Sequence, residues 1–115
     1  MMTKRMMLTI AALSWCAPRA FGAETDAMQH GKELFKYWCA TCHSAGDAYP
    51  GTVALQARYK GTVPAVLEDR KDLSPALVKT MVRHGISVMP FFRKTEISDQ
   101  DLDAIAAYLS KPKKR

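Results

Sequence analysis

Cysteine is scarce in this chain, three in 115 residues, and one of the three lies in a segment built like an export leader. Met1 to Met7 carries Lys4 and Arg5, Leu8 to Ala17 is a mostly apolar run, and Pro18 to Ala23 ends in small residues. A charged start, a short apolar middle and a small-residue end are the parts of a secretory signal peptide. Cleavage after Gly22 puts Ala20 and Gly22 at the small-residue positions; cleavage after Ala23, the alternative, puts bulky Phe21 at one of them. No apolar run is long enough to span a bilayer, and Trp15 stands where a lipoprotein box before Cys16 needs a small residue. The expected division is a signal peptide at 1–22 and a domain at 23–115 with a basic tail at 111–115, exported to the periplasm. Cys39 and Cys42 are then the only thiols left, which excludes the disulfide framework that holds many small exported folds.

Charge of one sign is also scarce once the leader is removed. Losing Lys4, Arg5 and Arg19 from 17 basic residues leaves 14 against 11 acidic ones, a net of +3. Four of those bases, Lys111, Lys113, Lys114 and Arg115, sit in the tail. The body is near neutral, which argues against a nucleic-acid-binding face; the tail is a solvated terminus or a docking element for an acidic partner. Internal repeats, low-complexity stretches, alternating strands and a nucleotide-binding glycine loop are all missing.

What is present is helical. Asp26 to Trp38 carries Leu34, Phe35 and Trp38 on one face, with Thr25 or Asp26 as its cap. Gly46, Pro50, Gly51 and Gly61 break up the stretch from Ser44 to Gly61, which reads as a loop with little regular structure. Thr62-Val63-Pro64 is expected to open a short helix through Glu68, since proline suits a first helical turn. Ser74-Pro75 starts a better one, with Leu77, Val78, Met81 and Val82 apolar and His84-Gly85 as its end. A loop from Ile86 to Ile97 follows. Ser98 caps the clearest helix, with acidic residues early and Leu102, Ile105, Ala106 and Leu109 in one stripe. The fold class is therefore all-α, short helices joined by long loops.

The chemistry concentrates in Cys39-Ala40-Thr41-Cys42-His43. Three readings of Cys-X-X-Cys-His compete. A thioredoxin-like redox site belongs in a βαβ context, and a structural zinc site needs two further ligands, for which His30 and His84 lack the usual paired spacing. In c-type haem attachment both thiols bond covalently to the haem and the adjacent histidine reaches the iron. An export signal and the lack of other thiols favour haem, with Cys39 and Cys42 as thioether sites and His43 as proximal ligand. The other ring N–H of His43 needs an acceptor; the Pro50 carbonyl is the candidate, with a plain turn role as the alternative. For the opposite face of the iron, Met28 and His30 precede the motif on its own helix, Met81 lies in an apolar stripe, and His84 ends a helix. Met89, in an irregular loop and followed by Pro90, is the favoured ligand. His/Met coordination raises the reduction potential and fills the site, which points to electron transfer. Arg83, His84, Arg93, Tyr49, Arg58 and Tyr59 are unranked candidates for the haem propionates or a partner.

These residues resemble a family. Gly31-Lys32-Glu33-Leu34-Phe35, the Cys39–His43 motif, Met89-Pro90 and Ala107-Tyr108-Leu109 are similar to the class I cytochromes c, a resemblance covering essentially the whole chain after the leader. It implies that the first and last helices cross, with Gly31, Phe35 and Tyr108 in the crossing, and that one haem c is carried covalently. Pro50-Gly51-Thr52, Val82-Arg83-His84-Gly85 and the stretch from Met89 to Asp99 give a narrower resemblance, to the cytochrome subunits of p-cresol methylhydroxylase (4-cresol dehydrogenase, hydroxylating) and its relatives acting on eugenol-like phenols; Phe91 departs from the small residue or proline usual there. That resemblance implies a one-electron carrier with no catalysis of its own. Its donor would be an FAD-containing flavoprotein subunit that oxidises para-alkylphenols, and its acceptor a soluble periplasmic protein. A free shuttle between respiratory complexes is the alternative.

Overall fold

The computed structural model describes residues 21–112; residues 1–20, nearly all of the expected leader, and tail residues 113–115 lie outside them. The described helices are α1 (Phe21–Trp38), α2 (Ala40–His43), α3 (Pro50–Tyr59), α4 (Pro75–His84) and α5 (Asp99–Ser110), with one 3-10 turn at Leu67–Asp69. Among the described residues no strand forms, only an isolated bridge between Ile86 and Met89. The fold is all-α, as the sequence implies.

Caps and apolar stripes explain α4 and α5. Ser74 Oγ accepts from the Leu77 N–H at 3.2 Å, Pro75 fills the first helical position, and Gly85 ends α4 at φ +68°. Ser98 Oγ accepts from the Asp101 N–H at 3.0 Å, and Asp99 and Asp101 occupy the first turn of α5, where unpaired N–H groups favour negative charge. Along α5, Leu102, Ile105, Ala106, Tyr108 and Leu109 are buried. Val78 and Val82 of α4, Phe35 of α1 and Ile97 close the same core. Full burial of each large side chain contributes about 1.5–3 kcal/mol, so this cluster fixes the frame on which the loops hang.

The α1–α5 crossing depends on Gly31. A Cβ there would lie 2.2 Å from the Ala104 carbonyl oxygen and 3.0 Å from Tyr108 Cβ; only glycine lets the backbones approach this closely. Phe35 and Tyr108 meet beside it with ring centroids 5.8 Å apart. His30 Nε2 lies 3.0 Å from Asp101 Oδ1 at the exposed edge, and that hydrogen bond is the first cause holding the Asp101 carboxyl below its usual range. The Tyr108 hydroxyl donates to the Glu68 carboxylate, joining the 3-10 turn to the crossing. Burial, more than this bond, pushes the Tyr108 phenol up.

Three expectations are corrected. α1 begins at Phe21 rather than near Asp26; its first turns are exposed, so no apolar stripe marks them, and the expected cleavage points fall within them. The stretch expected to be irregular contains α3, with Pro50 at its start and Lys60 ending it in the left-handed region at φ 49°. Pro50 initiates that helix because its missing N–H falls where no partner exists in any case. The helix expected from Thr62 to Glu68 is reduced to the single turn Leu67–Asp69. Pro64, Ala65 and Val66 instead run along α3, lining one cavity with its Thr52, Val53, Gln56 and Ala57. Beyond that turn, Arg70 is 5% exposed; its guanidinium grips Asp72 through two hydrogen bonds of 2.9 and 2.5 Å and lies over the Tyr59 ring, 4.8 Å from its centroid.

Candidate functional site

The helical chain runs almost unbroken from α1 into the cysteine motif. The Cys39 N–H donates to the Phe35 carbonyl at 2.9 Å, and the Cys39 carbonyl then accepts from the N–H groups of Cys42 at 3.1 Å and His43 at 2.9 Å. Cys39 therefore closes one helix and caps the next, a single turn that presents Cys42 and His43 in succession. Neither thiol is in a disulfide. Cys39 is half-buried against the core while Cys42 is exposed. Burial, then the neighbouring Cys42, pushes the Cys39 thiol up to about 12. A redox dithiol works through a stabilised thiolate, so this environment is the wrong one for it.

His43 is held below its ordinary value of 6.5 by burial, which keeps the ring neutral, the form that binds a metal. Its Nδ1 is buried and has no hydrogen-bond partner. The bond to the Pro50 carbonyl expected from the sequence is not formed: Pro50 is the first residue of α3, where a carbonyl points along the helix axis toward the next turn. The close neighbour is Gly51, which sequence reasoning passed over as a breaker. A Cβ at Gly51 would lie 2.6 Å from His43 Cε1, 2.8 Å from Nδ1 and 2.7 Å from the Cys42 carbonyl oxygen. The ring thus packs closely against bare backbone at the start of α3. Thr52, 7% exposed, donates from its hydroxyl to the Ser44 carbonyl at 2.7 Å and fastens the turn after His43 to the same helix.

Met89 approaches from the other side of the sequence and packs, half-buried, against the same core cluster as Trp38, Cys39 and Ala40. Its backbone is closed by a tight turn. The Met89 N–H donates to the Ile86 carbonyl at 2.9 Å, and the Ile86 N–H donates to the Met89 carbonyl at 3.2 Å. Three residues on, Phe92 places its ring 5.8 Å from the Trp38 ring, edge to face. The competing ligands are engaged elsewhere. His30 pairs with Asp101, and His84 Nδ1 lies 2.9 Å from the Thr80 carbonyl on the exposed side of α4. Among the described residues no three His, Cys, Asp or Glu side chains gather to hold a metal ion, so the two further ligands of a tetrahedral zinc site are not at hand.

Two free thiols on one turn, a neutral imidazole following them with an orphaned buried nitrogen, and a thioether on a loop over the same core form a donor set that fits a covalently held haem. Comparison with known proteins agrees. The family described as cytochrome C oxidase, cbb3-type, subunit III matches residues 26–109. The chain is similar to cytochrome c6 of Cyanidioschyzon merolae (strain NIES-3377 / 10D), 27% identical over 109 residues, 92% of this chain and 91% of that one. It is also similar to the 4-cresol dehydrogenase (hydroxylating) cytochrome c subunit of Pseudomonas putida, 32% identical over 109 residues, 93% and 83% of the two chains. A third match is cytochrome c6 of Synechocystis sp. (strain ATCC 27184 / PCC 6803 / Kazusa), 34% identical over 83 residues, 71% of this chain and 62% of that one. The chain belongs to the cytochrome c family. It is a c-type cytochrome, an electron carrier without a catalytic site of its own, and no helix among the described residues is long and apolar enough to cross a membrane.

Proposed function

We propose that this protein is the electron-accepting cytochrome subunit of an exported flavocytochrome that oxidises para-alkylphenols of the p-cresol or eugenol type. The observation that carries this reading is the 32% identity to the cresol dehydrogenase cytochrome subunit over 93% of this chain. The protein takes electrons one at a time from an FAD-containing subunit and passes them to a soluble periplasmic acceptor. The leader at 1–22 supports the periplasmic location.

Cys39 and Cys42 hold the haem through thioether bonds, His43 binds the iron through one ring nitrogen, and Met89 binds it from the loop. When bound, haem supplies an iron that changes by a single charge. The chain's own part is to hold a neutral imidazole rigidly, keep the Met89 loop closed, and fill the remaining iron position so that small molecules do not compete. The test is to purify the exported protein, with haem maturation intact, from cells that also make an FAD-containing para-alkylphenol-oxidising flavoprotein. Co-purification, with haem reduction on adding a para-alkylphenol, supports the proposal. A monomer whose haem stays oxidised with phenol and flavoprotein present supports a second reading, a free diffusible shuttle, which the two cytochrome c6 similarities favour.

A further inference from the structure

The loop that carries Met89 leaves α4 at Gly85 and rejoins the helical frame at Ser98. Its first leg is closed by the Ile86–Met89 turn, and its middle is tied to α4 by the Phe92 N–H donating to the Val82 carbonyl at 2.8 Å. The second leg has little regular structure to satisfy its carbonyls. Arg83, one residue past Val82, does so: one arm of its guanidinium donates to the Phe92 carbonyl at 3.0 Å, and the other donates to the Ile97 carbonyl and to Asp99 Oδ1, each at 2.9 Å. The side chain is 18% exposed while Asp99 is 61% exposed. The carbonyl contacts are therefore the sheltered ones and the ion pair is at the rim. A planar fork with fixed donor directions meets two carbonyls at once; an ammonium on a flexible stem does not.

We propose that Arg83 is the positioning residue for Met89, clamping the leg of the loop that follows it, at Phe92 and at Ile97, to the end of α4 so that the thioether is kept in place. This inference rests on the proposal that Met89 is an iron ligand. A guanidinium held by two loop carbonyls and Asp99 is not available for a propionate or a partner. The bland alternative is a strut between α4 and α5 acting through Asp99, which makes a different prediction.

The experiment is an imidazole titration of the ferric holoprotein, followed by loss of the long-wavelength methionine–iron absorption, on the wild type and on Arg83→Gln, Arg83→Lys, Asp99→Asn and Met89→Ala. Arg83→Gln is expected to bind imidazole about tenfold more tightly, as expected from losing one charge-assisted hydrogen bond that resists loop opening. Arg83→Lys is expected to fall between it and the wild type, and Asp99→Asn to stay within about twofold of the wild type, as an exposed pair would. Equal shifts in Arg83→Gln and Asp99→Asn overturn the inference in favour of the strut. If Arg83→Gln does not accumulate, Arg83→Lys decides, and an affinity equal to the wild type overturns the inference. A wild-type spectrum without the absorption, or one that Met89→Ala leaves intact, removes Met89 as the ligand and the inference with it.

Discussion

The Trp38 indole and the Phe92 ring meet edge to face with centroids 5.8 Å apart and planes at 75°. The residue before Cys39 thus touches the loop that carries Met89, so the cysteine turn and the Met89 loop are mechanically joined through protein side chains. Such pairs contribute about 0.5–1.5 kcal/mol beyond the area they bury. Phe92→Ala is expected to lower holoprotein stability by about 2 kcal/mol, less than the roughly 3–5 of a fully buried phenylalanine, and to weaken the methionine–iron absorption. Val88→Ala, whose side chain is 87% exposed, is expected to change neither. Thermal unfolding read at the haem absorption checks both.

Gly31→Ala tests the helix crossing. The added carbon would overlap the Ala104 carbonyl, and the helices must separate to admit it. The expected loss is about 1–3 kcal/mol, the usual range for overpacking a close contact, seen as a lower midpoint in denaturant with an unchanged slope.

Gly51→Ala tests the histidine site. The new methyl would collide with the His43 ring and the Cys42 carbonyl, whereas the helix itself gains from replacing glycine. Helix content by circular dichroism is expected to hold or rise, while the yield of protein retaining haem through a denaturing gel falls. Unchanged haem retention would show that the ring has room to move.

Asp72→Asn has a sign fixed by linkage. The Arg70 guanidinium beside Asp72 holds its carboxyl below the ordinary 3.8, so the unfolded chain binds the proton more readily. The pair's contribution is complete above about pH 4 and is lost as the pH falls through the folded value. Asp72 is 47% exposed, so screening limits the effect to about 1 kcal/mol. The asparagine variant is expected to melt lower at pH 7 and to converge on the wild type in acid; a gap that stays constant with pH would assign the loss to packing.

Much of the frame was legible because α4 and α5 announce themselves twice, by a serine cap and by an apolar stripe facing the core. The same was true of Gly31, Phe35 and Tyr108, which the family resemblance placed in the crossing. α3 was not legible. Only Thr52 on it is buried, so no stripe offset the proline and glycines that read as breakers. The cysteine motif pointed to a c-type cytochrome, the family to which the chain belongs, but the neighbours of His43 did not follow from spacing. Whether a ring rests on a carbonyl or on bare Cα depends on how α3 turns back. Arg70 and the fork of Arg83 were invisible for a related reason: each satisfies partners brought together only by the finished fold.

The crossing of α1 with α5 also sets an order of events during synthesis. His30 and Asp101, paired across it, are 71 positions apart, so Gly31 lacks its α5 partners Ala104 and Tyr108, and the core around Phe35 is incomplete, until the last helix has emerged. Cys39 is sheltered by that same core. The arrival of α5 therefore separates the two thiols: Cys39 gains the shelter of the core, while Cys42 stays exposed in the finished fold.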